Sequence, residues 1–302
     1  MNRILLNSFK YKAVFLVMLF MVSALSIADT PLNKIKALQK KFQALNSYSY
    51  ELHTVCYCAT TNYESWSYDI SRCSVVRTKE QPKFREESLK GTFRKGDADP
   101  WFERELSLLD GTNIYSISQY RYFQTARSRS FDPAEEKLDL THKIALEMFD
   151  GIHKCLLRPN TNGAWSYLGT TNINNESALV FQLETKYKQY DIIHKTTYIM
   201  SEDSGLVLKS VFQSTKISSG VPSYIFSDYT NIVINANISP EVFMPPANVE
   251  FTDMNKKRKS SDPLEDMHKK LPPDLFSIPE SVKNEIAENI IKRKKQKNLS
   301  NN

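Results

Sequence analysis

Residues 223–254, SYIFSDYTNIVINANISPEVFMPPANVEFTDM, set the strongest constraint on how this chain can fold. Ile225, Ser227, Tyr229 and Asn231 fall on one side, and Phe226, Asp228, Thr230 and Ile232 on the other. A period of two belongs to a strand with two unlike faces. Pro240, Pro245 and Pro246 end the regular structure, because proline lacks the N–H a ladder needs and fixes φ. Phe243, just ahead of the proline pair, is placed to close a core at its open end. Such a strand cannot stand alone, so the rest of its sheet has to lie upstream.

The upstream residues supply it. The spacing of Leu32, Ile35, Leu38, Phe42 and Leu45 predicts an amphipathic helix starting at Thr30-Pro31, a sound cap and first position. Strands follow at 48–59 and 67–78, then 82–92, 103–109 and 113–119, the last two joined by Asp110-Gly111, a strong hairpin signal. An edge strand is expected at 121–130 and a helical patch at 133–151, followed by strands 179–186, 194–200, 206–215 and 224–235. Among 302 residues, 15 Tyr and 16 Phe against 8 Gly suit a β-rich domain with few phosphate-cradling loops.

The ends differ in kind from this middle. Arg3, Lys10 and Lys12 precede the apolar run 13–25, and Ser26-Ile27-Ala28 has the small residues of a signal-peptidase site. The expectation is a signal peptide at 1–28, cleaved before Asp29, with a periplasmic mature protein; an uncleaved inner-membrane anchor is the alternative. No later apolar run approaches the ~20 residues that span a bilayer. Residues 255–302 concentrate Lys and Arg and are expected to form a largely disordered basic tail, with a short helix bearing Val282, Ile286 and Ile290. Such a tail can make a weak contact with an anionic membrane surface.

Chemical motifs are sparse. Residues 91–96 lack the Lys-Ser/Thr ending of a phosphate loop, no Gly-x-Ser-x-Gly elbow occurs, and no local spacing pairs two carboxylates as acid and base. A binding protein without cofactor is therefore expected, and not an enzyme. Cys56, Cys58, Cys73 and Cys155 form an even set, which in an exported chain favours disulfides: one across the first hairpin, one to Cys155. A metal site from these cysteines with His53 and His153 is disfavoured, since strand parity points His53 away from Cys56 and Cys58. Lys83, Arg85, Lys90, Arg94 and Lys95 are spread as on a solvated sheet face, so no nucleic acid is expected.

Four stretches in order resemble the LolA/LolB-like superfamily of periplasmic lipoprotein carriers. They are the helix entering the first strand (LNKIKALQKKFQALNSYSYEL), PKFREES with SLLDGTNIYSIS, the late hairpin YIMSEDSGLVLKSVFQST, and the ending SPEVFMPPANVEFTDM. The resemblance covers 31–254 and implies one domain at 29–254. That domain would be an α+β fold, a curved antiparallel sheet forming an unclosed half-barrel with lid helices. It further implies an apolar cavity for lipid or lipoprotein acyl chains, lined by residues such as Leu38, Phe42, Phe84 and Phe226. In the carrier an Arg precedes the Pro of the third strand and latches the lid; here Gln81 precedes Pro82. The superfamily also contains envelope sensors. The expected function is an exported lipid- or lipoprotein-binding carrier or sensor, with an envelope protein-interaction module of closed core as the alternative.

Overall fold

The computed structural model describes residues 30–59, 64–78, 81–120, 124–131, 163–187, 190–216, 222–255, 271–272, 275–279 and 281–300, with side chains described to 292 in the last. The expected signal peptide, the helical patch at 133–151 and Cys155 lie outside these residues.

Helix α1 (Pro31–Gln43) opens the fold. Thr30 caps it, its hydroxyl accepting from the Asn33 N–H at 3.3 Å, and Pro31 sits at the first turn, where a missing N–H costs nothing. Twelve strands follow: β1 (Ser47–Ala59), β2 (Glu64–Val76), β3 (Lys83–Arg94), β4 (Trp101–Leu109), β5 (Asn113–Gln119), β6 (Gln124–Ser130), β7 (Gly163–Ile173), β8 (Glu176–Tyr187), β9 (Ile192–Ser201), β10 (Val207–Lys216), β11 (Pro222–Ile234) and β12 (Thr252–Asp253). A 3-10 turn, Pro240–Phe243, and helix α2 (Val282–Ser300) complete the elements.

All twelve strands form one curved, unclosed sheet in the order β12-β6-β5-β4-β3-β2-β1-β11-β10-β9-β8-β7. Every pairing is antiparallel except that of β12 with β6, so the sheet is mixed rather than wholly antiparallel. The β4–β5 turn forms at Asp110-Gly111 as its sequence requires: Gly111 has φ +108°, and the Asp110 carboxylate accepts the N–H groups of Thr112 and Asn113, both at 2.7 Å.

Strand β11 keeps the expected alternation only as far as Thr230. Asn231 has φ +52°, and across from it β1 advances two residues, Ser49 to Glu51, while β11 advances three, Val233 to Thr230. This bulge shifts the phase, so Ile232 joins Tyr229 against the core in place of Asn231. β7 was not legible as a strand: it carries its own irregularity at Tyr167/Gly169. Its turn to β8, Asn174-Asn175 with both φ positive, is the signal that would have marked it.

The main core lies on the face covered by α1. Ile35, Leu38 and Phe42 of the helix pack with Tyr48, Cys73, Val75, Phe84 and Leu109 from one half of the sheet and Phe181, Met200, Leu206 and Val207 from the other. The β9–β10 turn comes in so closely that a Cβ on Gly205 would collide with the Leu38 carbonyl oxygen.

The opposite face of β2–β6 is covered by the C-terminal segment, read from sequence as a largely disordered tail. Ile278, Ile286 and Ile290 bury against Ile70, Leu89 and Phe93, and Leu275 and Phe276 against Leu106, Ile117 and Ala126. The helix was visible as a 282/286/290 spacing; its docking was not, because the apolar surface that receives it is spread over three separate strands. α2 fits there partly because β3 carries Gly91, where a Cβ would overlap the Ile286 side chain.

Candidate ligand-binding groove

The four residues expected to line one apolar cavity are divided between two places. Leu38, Phe42 and Phe84 are buried together in the α1 core and filled in by one another. Phe226 projects from the other sheet face and is 46% exposed. Parity separates them: Phe226 pairs with Val55, one residue out of phase with the Tyr50–Tyr229 side that meets the core.

The expected hairpin disulfide does not form, and the strand register explains why. Cys56 lies opposite Ser67 and Cys58 opposite Ser65, whereas Cys73 lies opposite Tyr50. Six residues of strand, about 20 Å, separate Cys56 from the position facing Cys73, far beyond disulfide reach. Cys56, Cys58 and Cys73 form no disulfide with one another. His53 is on the face opposite Cys56 and Cys58, and among the described residues no group of three or more His, Cys, Asp or Glu converges as a metal site.

Gln81 cannot hold α1, but Arg77, four residues earlier, reaches its end. Its Nη1 donates to the Phe42 carbonyl at 2.7 Å, and its guanidinium lies over the Phe42 and Tyr48 rings at 4.3 and 5.2 Å. A cation at a helix C-terminus also meets the negative end of the dipole. The sequence signal was a lone Arg at the close of β2, without a motif to mark it.

The sheet face bearing Phe226 holds a groove of about 340 Å³ between β1, β10, β11 and α2. This is within the size range of small-ligand sites. Val55, Val211 and Phe226 supply its apolar floor, with Val55 paired to Phe226 and Phe226 to Val211 across adjoining strands. Tyr224 stacks beside Phe226 at 5.9 Å, and Tyr57 packs on Trp66 at 4.4 Å, extending the aromatic strip along the face. Asn289 of α2 forms one wall, and Lys209 and Asp228, paired at 3.0 Å, stand at the rim. A larger hollow, about 500 Å³, lies behind the β3–β4 turn, but it is walled by the single run 96–102 and has no opposing surface.

A hydrogen-bonded chain closes one end of the groove. Arg72 Nε donates to Glu51 Oε2 at 2.9 Å, His53 Nε2 lies 2.8 Å from Glu51 Oε1, and His53 Nδ1 lies 2.9 Å from the Tyr68 hydroxyl. Burial raises the Glu51 pKa, but hydrogen bonds from Arg72 and His53 outweigh it and hold the carboxyl below its usual range. An ionised Glu51 only accepts, so Nε2 carries the proton, and in the neutral imidazole Nδ1 then accepts from the Tyr68 phenol. The arrangement fixes the phenol oxygen as an acceptor toward the groove and can orient the polar end of a ligand.

Beyond the α1 core, that same face of the sheet is mixed: Thr54, Asp69, Lys90 and Glu103 pair in a row across β1–β4, while Cys56, Ile225 and Phe212 pair in a row across β1, β11 and β10. Burial lifts the Asp69 carboxyl from 3.8 to about 6, against the pull of the Ser71 hydroxyl and Lys90.

No family model matches the chain, and no curated protein does. Among solved structures, the chain is similar to a candidate outer membrane lipoprotein-sorting protein domain from Vibrio parahaemolyticus, at 8% identity over 70% of this chain and 95% of that one, with a TM-score of 0.26. It is also similar to a DUF1329 family protein from Desulfovibrio piger (11% identity, 71% and 95% covered, TM-score 0.24). A third is a beta-barrel-like protein of a domain of unknown function, DUF1849, from Brucella abortus (8% identity, 63% and 98% covered, TM-score 0.16).

Proposed function

We propose that this chain is a cell-envelope protein that binds a lipid or lipoprotein acyl chain in the groove of Val55, Val211 and Phe226, and that it carries or senses this ligand rather than transforming it. One observation carries the reading: the apolar strip of the sheet does not stop at the edge of α2 but continues into the open as far as Phe226. Exposed apolar surface of this kind, rimmed by polar groups, marks a binding site. An acyl chain laid on it gains about 0.8 kcal/mol per buried CH₂. The Lys209–Asp228 pair is roughly half exposed, so Lys209 can turn to an anionic head group at small cost. Export through residues 1–28 to the periplasm rests on the sequence, as does the absence of catalysis.

A protein-interaction module is the second reading, favoured by the α1 core, where Leu38, Phe42 and Phe84 leave no space for a guest. Organic extraction of the protein purified without detergent, followed by mass spectrometry, separates the two. Stoichiometric acyl lipid, lost on Phe226→Asp, supports lipid binding. A blank extract that stays blank after incubation with envelope lipids moves the function to a protein partner.

A further inference from the structure

The segment that covers the rest of the Phe226 face is held there in an unusual way. Glu87 is 1% exposed, and its carboxylate accepts the Ser277 hydroxyl at 2.7 Å and the Ile278 N–H at 2.8 Å. Arg104, 3% exposed, donates to the Ile278 carbonyl at 3.1 Å, and its guanidinium lies 5.1 Å from the Phe276 ring. Arg72 donates to the Ser277 carbonyl at 3.2 Å. Three charged side chains of the sheet thus read two peptide units of the arm. Buried charge is a poor way to gain stability compared with well-packed apolar residues, but it fixes one geometry and lets go once that geometry is lost.

Two further observations bear on what lies under this arm. Trp66 Nε1 is buried beneath α2, where Trp66 packs against the Ile286 cluster, and has no hydrogen-bond partner among the described residues. A buried N–H without an acceptor is costly, and displacement of α2 would let water satisfy it, so the closed position of the arm carries a penalty that opening relieves. The cluster under α2, with Tyr68 and Phe102 beside Trp66, also continues into the groove, because Tyr68 belongs to both and Asn289 of α2 is the wall between them. As for reach, Asn255 bonds Ser130 at one end of β6, and Leu271 bonds Gln124 at the other, about 20 Å apart. The connecting residues, 256–270, have a covalent reach of about 50 Å, more than the docked position needs.

We propose that the arm, residues 275–292, is an exchangeable lid: it occupies half of a longer acyl-binding site, and the ligand enters by taking its place. The inference rests on the acyl-chain reading and adds to it the extent of the site and its regulation. The open groove receives the first part of the chain; displacement of α2 uncovers Trp66, Phe93 and Phe102 for the remainder. Because the site is competent only when the arm is away, the apparent Kd is the intrinsic one divided by the open fraction. Loosening the arm therefore tightens ligand binding.

The test uses the full chain and two variants that loosen different attachments without touching the groove. Glu87→Gln removes the charge that holds Ser277 and Ile278, and Gly91→Ala puts a methyl group into the Ile286 side chain. Hydrogen exchange of residues 275–292 reads the arm, and calorimetric titration with lysophosphatidylglycerol, kept below its micelle-forming concentration, reads the site. The lid account expects faster arm exchange in both variants, a Kd lower several-fold in step with it, and loss of arm protection in the unmodified chain at saturating probe. It is overturned if arm exchange rises in both variants while Kd stays the same, or if bound probe leaves the arm protected. Accelerated arm exchange with no probe binding in any form sinks the acyl-chain reading itself, and the lid with it.

Discussion

Gly205 and Asp69 illustrate how single residues hold this fold or strain it. Gly205 has φ +73°, and a Cβ would meet the Leu38 carbonyl, so Gly205→Ala adds a steric clash to a left-handed penalty of about 1–2 kcal/mol. A fall in unfolding free energy larger than that penalty is expected from denaturant titration; a neutral substitution would mean the turn does not brace α1. Asp69 is protonated more readily in the folded protein than in the unfolded chain, because burial lifts its pKa to about 6. A raised folded pKa contributes stability below the unfolded value of about 4, and that contribution is lost as pH rises through 6. Asp69→Asn should therefore raise the unfolding free energy at pH 7.5, by an amount on the order of 1–2 kcal/mol, and lose its advantage near pH 4. A constant gain at both pH values would remove burial of the charge as the cause. Sequence reading placed Cys56 and Cys58 on one face and found the Asp110-Gly111 turn, but it could not fix register, and register is what keeps Cys73 about 20 Å from Cys56.

At the scale of elements, period was the reliable guide and tertiary docking was not. Helix α1 follows from its 35/38/42 stripe, and nearly every strand of 48–235 from alternation, because each signal is contained in one short segment. β7, with its irregular Gly169, and the two-residue β12 carry too little pattern to be found this way. α2 was legible as a helix, but its partner surface is assembled from β2, β3 and β4 and exists only after the sheet has formed. Two truncations compare the helices. Leu38→Ala should cost about 2–5 kcal/mol in global stability, since the α1 core has no slack to collapse into. Ile286→Ala should cost less globally and act mainly on amide exchange of residues 282–292, if the arm opens independently of the sheet. Equal effects on both readouts would make the arm part of one cooperative unit.

The whole molecule is an unclosed sheet with one face covered in part by α1 and the other in part by its own C-terminal arm. The opening helix and most strands of the sheet were readable in the sequence, because each carries its own period. The position of the open apolar surface was not, because Leu38 and Phe226 carry similar apolar character and only the folded sheet reveals that they face opposite ways. The proposed site therefore places the acyl chain on the Phe226 face and not beneath α1. Photo-crosslinking the full chain with a diazirine-bearing fatty acid and mapping the adducts by mass spectrometry tests this directly. Adducts at Val55, Tyr68, Val211 and Phe226 are the predicted result. Adducts confined to Leu38, Phe42 and Phe84 would contradict it, by showing that α1 opens and that the ligand enters the core.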